Sequence, residues 1–339
     1  MALPRSAYVK EGQEGVYHCF SRCVRRAFLC GFDAFTGRDY SHRKAWVVDR
    51  LRFLASVFAI EVIDYSVMAT HNHNILRTRP DIAARWPDRE VAARWLTLCP
   101  RQPKKRGGKT ATAEEQISAL MNNPERIAVL RRRLSSVSWF MGQLNEFIAR
   151  AANKEDGVKG RFWEGRFKCR VLLDDAAIAA CMVYVDLNPI RAGLAATPEE
   201  SDFTSIQERI HAWQRKTLAT EAAGDLQSHS RDGAAWLCPI ESDSERRGIL
   251  RMTTAEYIDL VDRSGRIMRP DKRGVIDADL APILLRIGAN PEAWIETVSQ
   301  FETKFHLAAG LLSNLRRFAD QLGRRWLKGV AAACAAFAT

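Results

Sequence analysis

Residues 61–77 read EVIDYSVMATHNHNILR, and this stretch decides the fold around which the rest of the chain is arranged. In its first half Ile63, Tyr65 and Val67 alternate with other residues, which is the period of a β-strand. After a two-residue break comes a second strand candidate, His71 to Arg77. The stretch therefore predicts two consecutive strands joined by a short turn.

The flanking sequence adds one strand before this pair, and helices and a further strand after it. Gly15 to Arg22 is rich in aromatic and β-branched residues and predicts a first strand. Apolar residues at helical spacing and capping residues place the other elements. The predicted order is strand, helix, strand, strand, helix, strand, helix, at residues 15–22, 43–60, 61–68, 71–77, 124–152, 161–172 and 174–188. This order predicts an α+β fold with a mainly antiparallel sheet and helices packed on it.

Composition shifts divide the chain into three parts. We predict a first domain over residues 1–215 with an insertion at about 78–125, which contains the basic, glycine-bearing loop Arg101 to Lys109. A polar linker is predicted over residues 216–247, because that stretch lacks periodic apolar residues. For residues 248–339 we predict a largely helical C-terminal region, whose role the sequence does not reveal.

The composition indicates a soluble globular protein with a polyanionic partner. Of the 339 residues 47% are hydrophobic and 27% charged, and 51 Lys and Arg against 40 Asp and Glu give a net charge of +11. No run approaches the roughly 18 apolar residues of a membrane span, and the charged N-terminus argues against a signal peptide. The eight cysteines form no CxxC pair, so we expect a reducing, cytoplasmic location and no membrane contact.

The sharpest local feature is His71-Asn72-His73. Side chains alternate along a strand, so His71 and His73 share a face and could hold one divalent cation. The alternative is a pair of polar residues on a solvated strand. A zinc hydrolase is a further alternative, although the remaining histidines follow no metal-ligand spacing.

The second feature is Tyr184 in MVYVDLNPIRAGL, residues 182–194. On a helix Tyr184 and Asn188 share a face that lies away from the apolar stripe, so Tyr184 need not be a core residue. A phenol is a poor nucleophile near its ordinary pKa of about 10, and a nearby cation would have to stabilise its phenolate. The alternative is a half-buried ring with its hydroxyl in water.

Positive charge is concentrated in residues 126–170, which hold eleven Lys and Arg against four acids. Cations neutralise phosphates, and exposed aromatic rings stack on unpaired bases, so this segment favours nucleic-acid binding. The alternative is a solvated helix face followed by a strand whose aromatic residues fill the core. The candidate DNA-binding residues are Arg131, Arg132, Arg133, Arg161, Arg166 and Lys168.

Four motifs together resemble a known family, the single-tyrosine HUH transposases, in the branch of REP-associated tyrosine transposases. They are Tyr17-His18, VMATHNHNILR from Val67, GRFWEGRFK from Gly160 and YVDLNPIRAGL from Tyr184. The resemblance covers about residues 1–210. Its strength lies in the combination and order of the last two motifs.

The resemblance implies an enzyme that cleaves and rejoins single-stranded DNA at hairpins during DNA transposition. It implies Mg²⁺ or Mn²⁺ bound by His71 and His73, with Asn188 completing the metal site. Tyr184 would be the nucleophile that forms a 5′-phosphotyrosine link. A homodimer is one option for the assembly.

Three polar residues depart from the family pattern, and one of them is Thr70, which stands where the family often has Asn. Asn72 stands where the family usually has a bulky apolar residue, and Asn74 where it usually has an aliphatic one. These residues favour an alternative function, a DNA-binding protein that keeps the fold and has weakened or lost cleavage.

Overall fold

The computed structural model describes residues 3–24, 29–34, 36–100, 111–223, 234–268 and 281–337. The basic loop predicted at residues 101–109 lies outside them.

The strands are β1 (Gly15–Arg22), β2 (Phe32–Asp33), β3 (Arg38–Asp39), β4 (Ile60–Val67), β5 (His71–Thr78), β6 (Lys168–Leu172) and β7 (Ala308–Ala309). The helices up to the sixth are α1 (Arg43–Val57), α2 (Pro80–Arg85), α3 (Asp88–Leu98), α4 (Ala113–Met121), α5 (Pro124–Arg133) and α6 (Val137–Glu155). The later helices are α7 (Asp175–Asp186), α8 (Asn188–Arg191), α9 (Ser205–Ala223), α10 (Thr254–Met268), α11 (Ala281–Arg286), α12 (Trp294–Ser299), α13 (Phe301–Lys304), α14 (Leu312–Gln321) and α15 (Val330–Ala336).

The main sheet has five strands in the order β4-β5-β1-β6-β7. Every pair in it is antiparallel except β6 with β7, which is parallel. The predicted α+β class and the mainly antiparallel sheet are therefore confirmed. The predicted strand at 161–172 is shorter than expected, since regular pairing begins only at Lys168, and Trp163 contributes an isolated bridge to Cys23.

Helix α7 is the buried helix that positions the site. Asp174 caps it by accepting a hydrogen bond from the backbone N–H of Ala177 at 3.1 Å. Its residues from Ala176 to Asp186 are all buried, because α7 lies between the sheet and the C-terminal helices. A helix that is apolar all round is the pattern expected for such a position.

The C-terminal region shares the sheet and the core with the first 215 residues. Its strand β7 pairs with β6, and Tyr257 of α10 donates a hydrogen bond to Asp186 of α7 at 2.5 Å. The stretch predicted as a linker differs from the prediction: α9 extends into it as far as Ala223, and Leu237 forms a bridge with Val62. Buried apolar residues there and in the last helices belong to one hydrophobic core. No described helix has the length and apolar character needed to cross a bilayer.

Candidate active site

Three histidines meet on one face of the sheet. His71 and His73 share a face of β5, and the register places Arg22 and Phe20 of β1 opposite them. Two residues before Phe20, His18 reaches the same face, and its Nε2 lies 2.9 Å from Nδ1 of His73. The ring centroids of His71 and His73 are 4.9 Å apart. The alternation that predicted a shared face for the two histidines of β5 is therefore realised.

A buried arginine orients this histidine pair. Nη1 of Arg170 lies 3.3 Å from Nδ1 of His18, and Arg170 also donates to the backbone carbonyls of His306 and Glu302. A guanidinium can only donate, so His18 Nδ1 accepts, and the neutral His18 ring carries its proton on Nε2. That proton is donated to Nδ1 of His73, which places the proton of a neutral His73 on its own Nε2. This Nε2 is buried without a hydrogen-bond partner among the described residues.

Tyr184 lies beside the histidines under a cover from the C-terminal region. Its ring is 5.7 Å from the ring of His73, centroid to centroid, and 5.9 Å from that of Phe301. Its hydroxyl donates a hydrogen bond to Oε2 of Glu302 at 2.9 Å. Only 4% of Tyr184 is exposed, although the apolar pattern of the helix did not require it to be a core residue. The reason is α13, which covers the helix face that sequence periodicity left open.

Burial and charge set the protonation of these groups. Burial lowers the pKa of His73 well below its ordinary value, and the neighbouring His18, His71 and Arg170 add to the effect. Burial likewise lowers the pKa of His71, with a smaller contribution from Arg22. Both rings are therefore neutral near pH 7. Burial, followed by the Glu302 carboxylate, raises the pKa of Tyr184 far above its ordinary value, so its phenol is protonated.

The histidines open into a cleft with a cationic rim. The cleft has a volume of about 340 Å³, and both His71 and His73 line it together with Glu302. Phe20, Ser21, Arg22, Glu164, Gly165, Arg166 and Lys168 complete its walls. A polyanion would find three cations next to two neutral imidazoles and two acids here.

The two histidines of β5 fit a divalent cation as a pair of imidazole ligands, with one condition. Nε2 of His73 is unpartnered, but a cation there requires the His73 proton on Nδ1. His18 Nε2 would then accept that proton's hydrogen bond, and the contact of His18 Nδ1 with Arg170 would be lost. No group of three or more His, Cys, Asp or Glu in the described ranges could hold a metal ion. Asn188 is buried and its Nδ2 is unpartnered, while its Oδ1 lies 3.5 Å from Nη1 of Arg191. Further ligands would therefore be an amide, water or substrate oxygens.

The predicted DNA-binding residues separate into two places. Arg166 and Lys168 lie at the cleft, and Arg161 is exposed nearby in the chain, where it donates to the backbone carbonyl of Glu164. The three arginines that end α5 do not line the cleft. Arg131 pairs with Asp88, Arg133 lies over the ring of Trp139 at 4.3 Å, and Arg132 is exposed. Helix α5 packs with α2, α3 and α4 of the insertion.

The aromatic residues between these cations belong to the core. Phe162, Trp163 and Phe167 are each less than 10% exposed. Arg5 lies over the ring of Phe167, with its guanidinium carbon 3.4 Å from the ring centroid. These rings are therefore not surfaces on which a base can stack. This agrees with the alternative in which the aromatic residues of this segment fill the core.

Sequence reasoning missed three residues of the site: His18, Arg170 and Glu302. His18 belongs to the first-strand motif, but the sequence assigns it no role. Its position two residues before Phe20 could have placed it on the cleft face once β1 and β5 are paired. No local signal points to Glu302, which follows Tyr184 by 118 residues.

Comparisons with known proteins leave the family open. No family model matches the chain, and no curated protein matches it. A solved structure of a REP-associated tyrosine transposase bound to a REP hairpin is similar over 62% of this chain and 86% of that chain. The two are 11% identical with a TM-score of 0.33. A likeness this weak decides neither fold family nor function, which have to be argued from the residues of this chain.

Proposed function

We propose that this protein is a metal-dependent transposase that cleaves and rejoins single-stranded DNA at hairpins through a 5′-phosphotyrosine intermediate. The observation that carries the proposal is the contact of Tyr184 with His73 and with Glu302, both of which line one cationic cleft together with His71. A tyrosine, two neutral imidazoles and a carboxylate are the parts that transesterification of a phosphodiester needs. The hairpin as substrate rests on the four sequence motifs.

The chain's own residues account for the proton and the nucleophile. Oη of Tyr184 attacks phosphorus, and its proton passes to Oε2 of Glu302, which already accepts that hydrogen bond. The bond from phosphorus to the 3′-oxygen breaks, and the leaving oxygen takes up a proton to become a 3′-hydroxyl. When bound by His71 and His73, Mg²⁺ or Mn²⁺ would offset the charge that builds on the phosphate.

The cations at the cleft bind the strand on which this chemistry acts. Arg22, Arg166 and Lys168 line the cleft, and all three are exposed. Arg191 lies over the Tyr184 ring at 4.9 Å and stabilises a developing phenolate. The covalent intermediate keeps the energy of the phosphodiester, so rejoining the strand needs no nucleotide cofactor.

The test is a covalent adduct between protein and DNA. We incubate the full-length protein with 5′-labelled and 3′-labelled single-stranded hairpins from the DNA that flanks its gene, in Mn²⁺ or Mg²⁺. The protein should attach to the 5′ end of one product and shift it on a denaturing gel. Tyr184→Phe, which keeps the ring, should bind the hairpin but give no adduct, whereas Tyr17→Phe should still give it. An adduct formed by Tyr184→Phe would refute the assignment of the nucleophile.

A second candidate function is DNA binding without cleavage. Its support is the burial of Tyr184 beneath Phe301, together with two buried asparagines, Asn72 and Asn74, whose amide atoms all lack hydrogen-bond partners among the described residues. This candidate predicts hairpin binding by the wild-type protein and no adduct with any hairpin or metal.

A further inference from the structure

A short basic segment after α14 exposes a tryptophan to solvent. Residues 324–328 read RRWLK, and Leu327 is buried while the other four residues of the segment are exposed. Trp326 is 70% exposed, more than any other large apolar side chain in the described ranges. A single exposed apolar side chain is common on a protein surface, but this indole is a flat ring beside exposed cations that a partner can reach.

The segment forms one wall of a groove. His306 and Leu307 also line it, and the groove has a volume of about 410 Å³. Leu327 anchors the segment, while Gly329 places the backbone after it against Phe305, since a Cβ there would lie 3.0 Å from Cδ1 of that ring. The groove therefore has a fixed floor, and the cations and the indole point away from the core.

The charges of the groove are available to an anion. Arg324, Arg325 and Lys328 line it, and none of them forms an ion pair within the described ranges. His306 is the remaining ionisable group in the lining. Unpaired cations beside a flat aromatic ring are the combination by which proteins hold single-stranded nucleic acid, with phosphates on the cations and a base on the ring.

The groove lies near the candidate active site. Its lining residue His306 follows Glu302 by four positions, and Arg170 donates to the backbone carbonyls of both. Four residues span at most about 14 Å, a length that about four stacked nucleotides cover at about 3.4 Å each. A short single strand is therefore long enough to reach from the cleft to the groove.

We propose that this groove is a second binding site for single-stranded DNA, which holds the strand that flanks the cleavage position. An unpaired base stacks on Trp326, and the adjacent phosphates lie on Arg324, Arg325 and Lys328. The identity of the nucleic acid rests on the proposed function, whereas the location of the site rests on the groove alone.

The experiment measures the affinity of the full-length protein for two labelled oligonucleotides by fluorescence anisotropy. One is a blunt hairpin, and the other is the same hairpin with an eight-nucleotide single-stranded tail. Trp326→Ala should weaken binding of the tailed hairpin about 5- to 150-fold, the loss expected for one stacked base, and leave the blunt hairpin unchanged. Trp326→Phe should recover most of the loss. Arg324→Glu with Arg325→Glu should flatten the log–log salt dependence by about 0.7 for each phosphate that is no longer neutralised.

A matched control separates the groove from general charge. Arg316→Glu with Arg317→Glu makes the same charge change on exposed residues of α14 that do not line the groove. If this control weakens binding as much as the groove variant, or if Trp326→Ala binds the tailed hairpin like wild type, the proposal is overturned. The adduct assay on the same variants keeps the two proposals apart. If tail binding depends on Trp326 but the wild-type protein forms no adduct, the proposed cleavage is refuted and the groove proposal stands. If the wild-type protein forms an adduct but tail binding does not depend on Trp326, the groove proposal is refuted and the proposed cleavage stands.

Discussion

Replacing Glu302 by glutamine tests whether the carboxylate takes the proton of Tyr184. The tyrosine hydroxyl donates to Oε2 of Glu302 at 2.9 Å. The amide oxygen of glutamine can still accept this bond but cannot be protonated at neutral pH. A proton acceptor contributes about 10²- to 10⁴-fold to the rate, so Glu302→Gln should slow adduct formation by that factor. The corresponding rise in the activation barrier is about 3–5.5 kcal/mol.

The effect on stability should be small by comparison. A hydrogen bond to a charged acceptor contributes about 1.5–3 kcal/mol and a neutral one about 0.5–1.5, so Glu302→Gln should cost about 1 kcal/mol. For a chain of this size the melting temperature should fall by only about 1–2 °C. Hairpin affinity should stay within a few-fold of wild type, because the cations that bind the strand are untouched.

The assay is the single-turnover rate of adduct formation at saturating hairpin, next to a thermal melt and an anisotropy titration. Glu296→Gln is the matched control, since Glu296 lies six residues earlier and its side chain is 63% exposed in an ion pair with Lys304. The control should react at the wild-type rate. An adduct rate for Glu302→Gln within about threefold of wild type would show that the tyrosine proton goes elsewhere. A loss of rate matched by an equal loss of affinity would assign Glu302 to binding.

Three further predictions follow from the same contacts. Asn74→Val should raise the free energy of unfolding by about 1–3 kcal/mol in a urea melt, because Asn74 is fully buried with both amide atoms unpartnered; a loss of stability would mean that an ordered water satisfies the amide. A chain ending at Lys216 should be insoluble or unfolded, since it lacks β7 and uncovers α7; a cooperative melt of this shortened chain would contradict the shared core. His73→Ala and excess EDTA should each abolish the adduct and keep the fold, and a full rate for this variant in Mg²⁺ would exclude His73 as a ligand.

The local parts of the fold could be predicted from the sequence because they depend on short periods. The alternation in residues 61–77 and the aromatic-rich run at Gly15–Arg22 predict strands whose bounds match the structure within one residue. The capping residue Asp174 likewise marks the start of α7. The shared face of His71 and His73 follows from the two-residue period of a strand, and β5 keeps a regular register with β1 over these residues.

The rest of the site depends on contacts between distant residues. Helical periodicity placed Tyr184 on an open face, but Phe301 and Glu302 cover that face, and nothing near residue 184 encodes them. Charge counting grouped Arg131 with Lys168 because both lie in one basic stretch. The fold places Arg131 in an ion pair with Asp88 and only Lys168 at the cleft, because α5 packs on the insertion helices.

The 118-residue separation between Tyr184 and Glu302 has a consequence for the time at which the site is complete during synthesis. Ribosomes add roughly 5–20 residues per second, so Glu302 is made roughly 6–24 s after Tyr184. During this interval the nascent chain holds the tyrosine and the histidines of β1 and β5 without the carboxylate and without β7. If Glu302 takes the tyrosine proton, a growing chain cuts DNA about 10²- to 10⁴-fold more slowly until Glu302 has been made and α13 has folded over Tyr184.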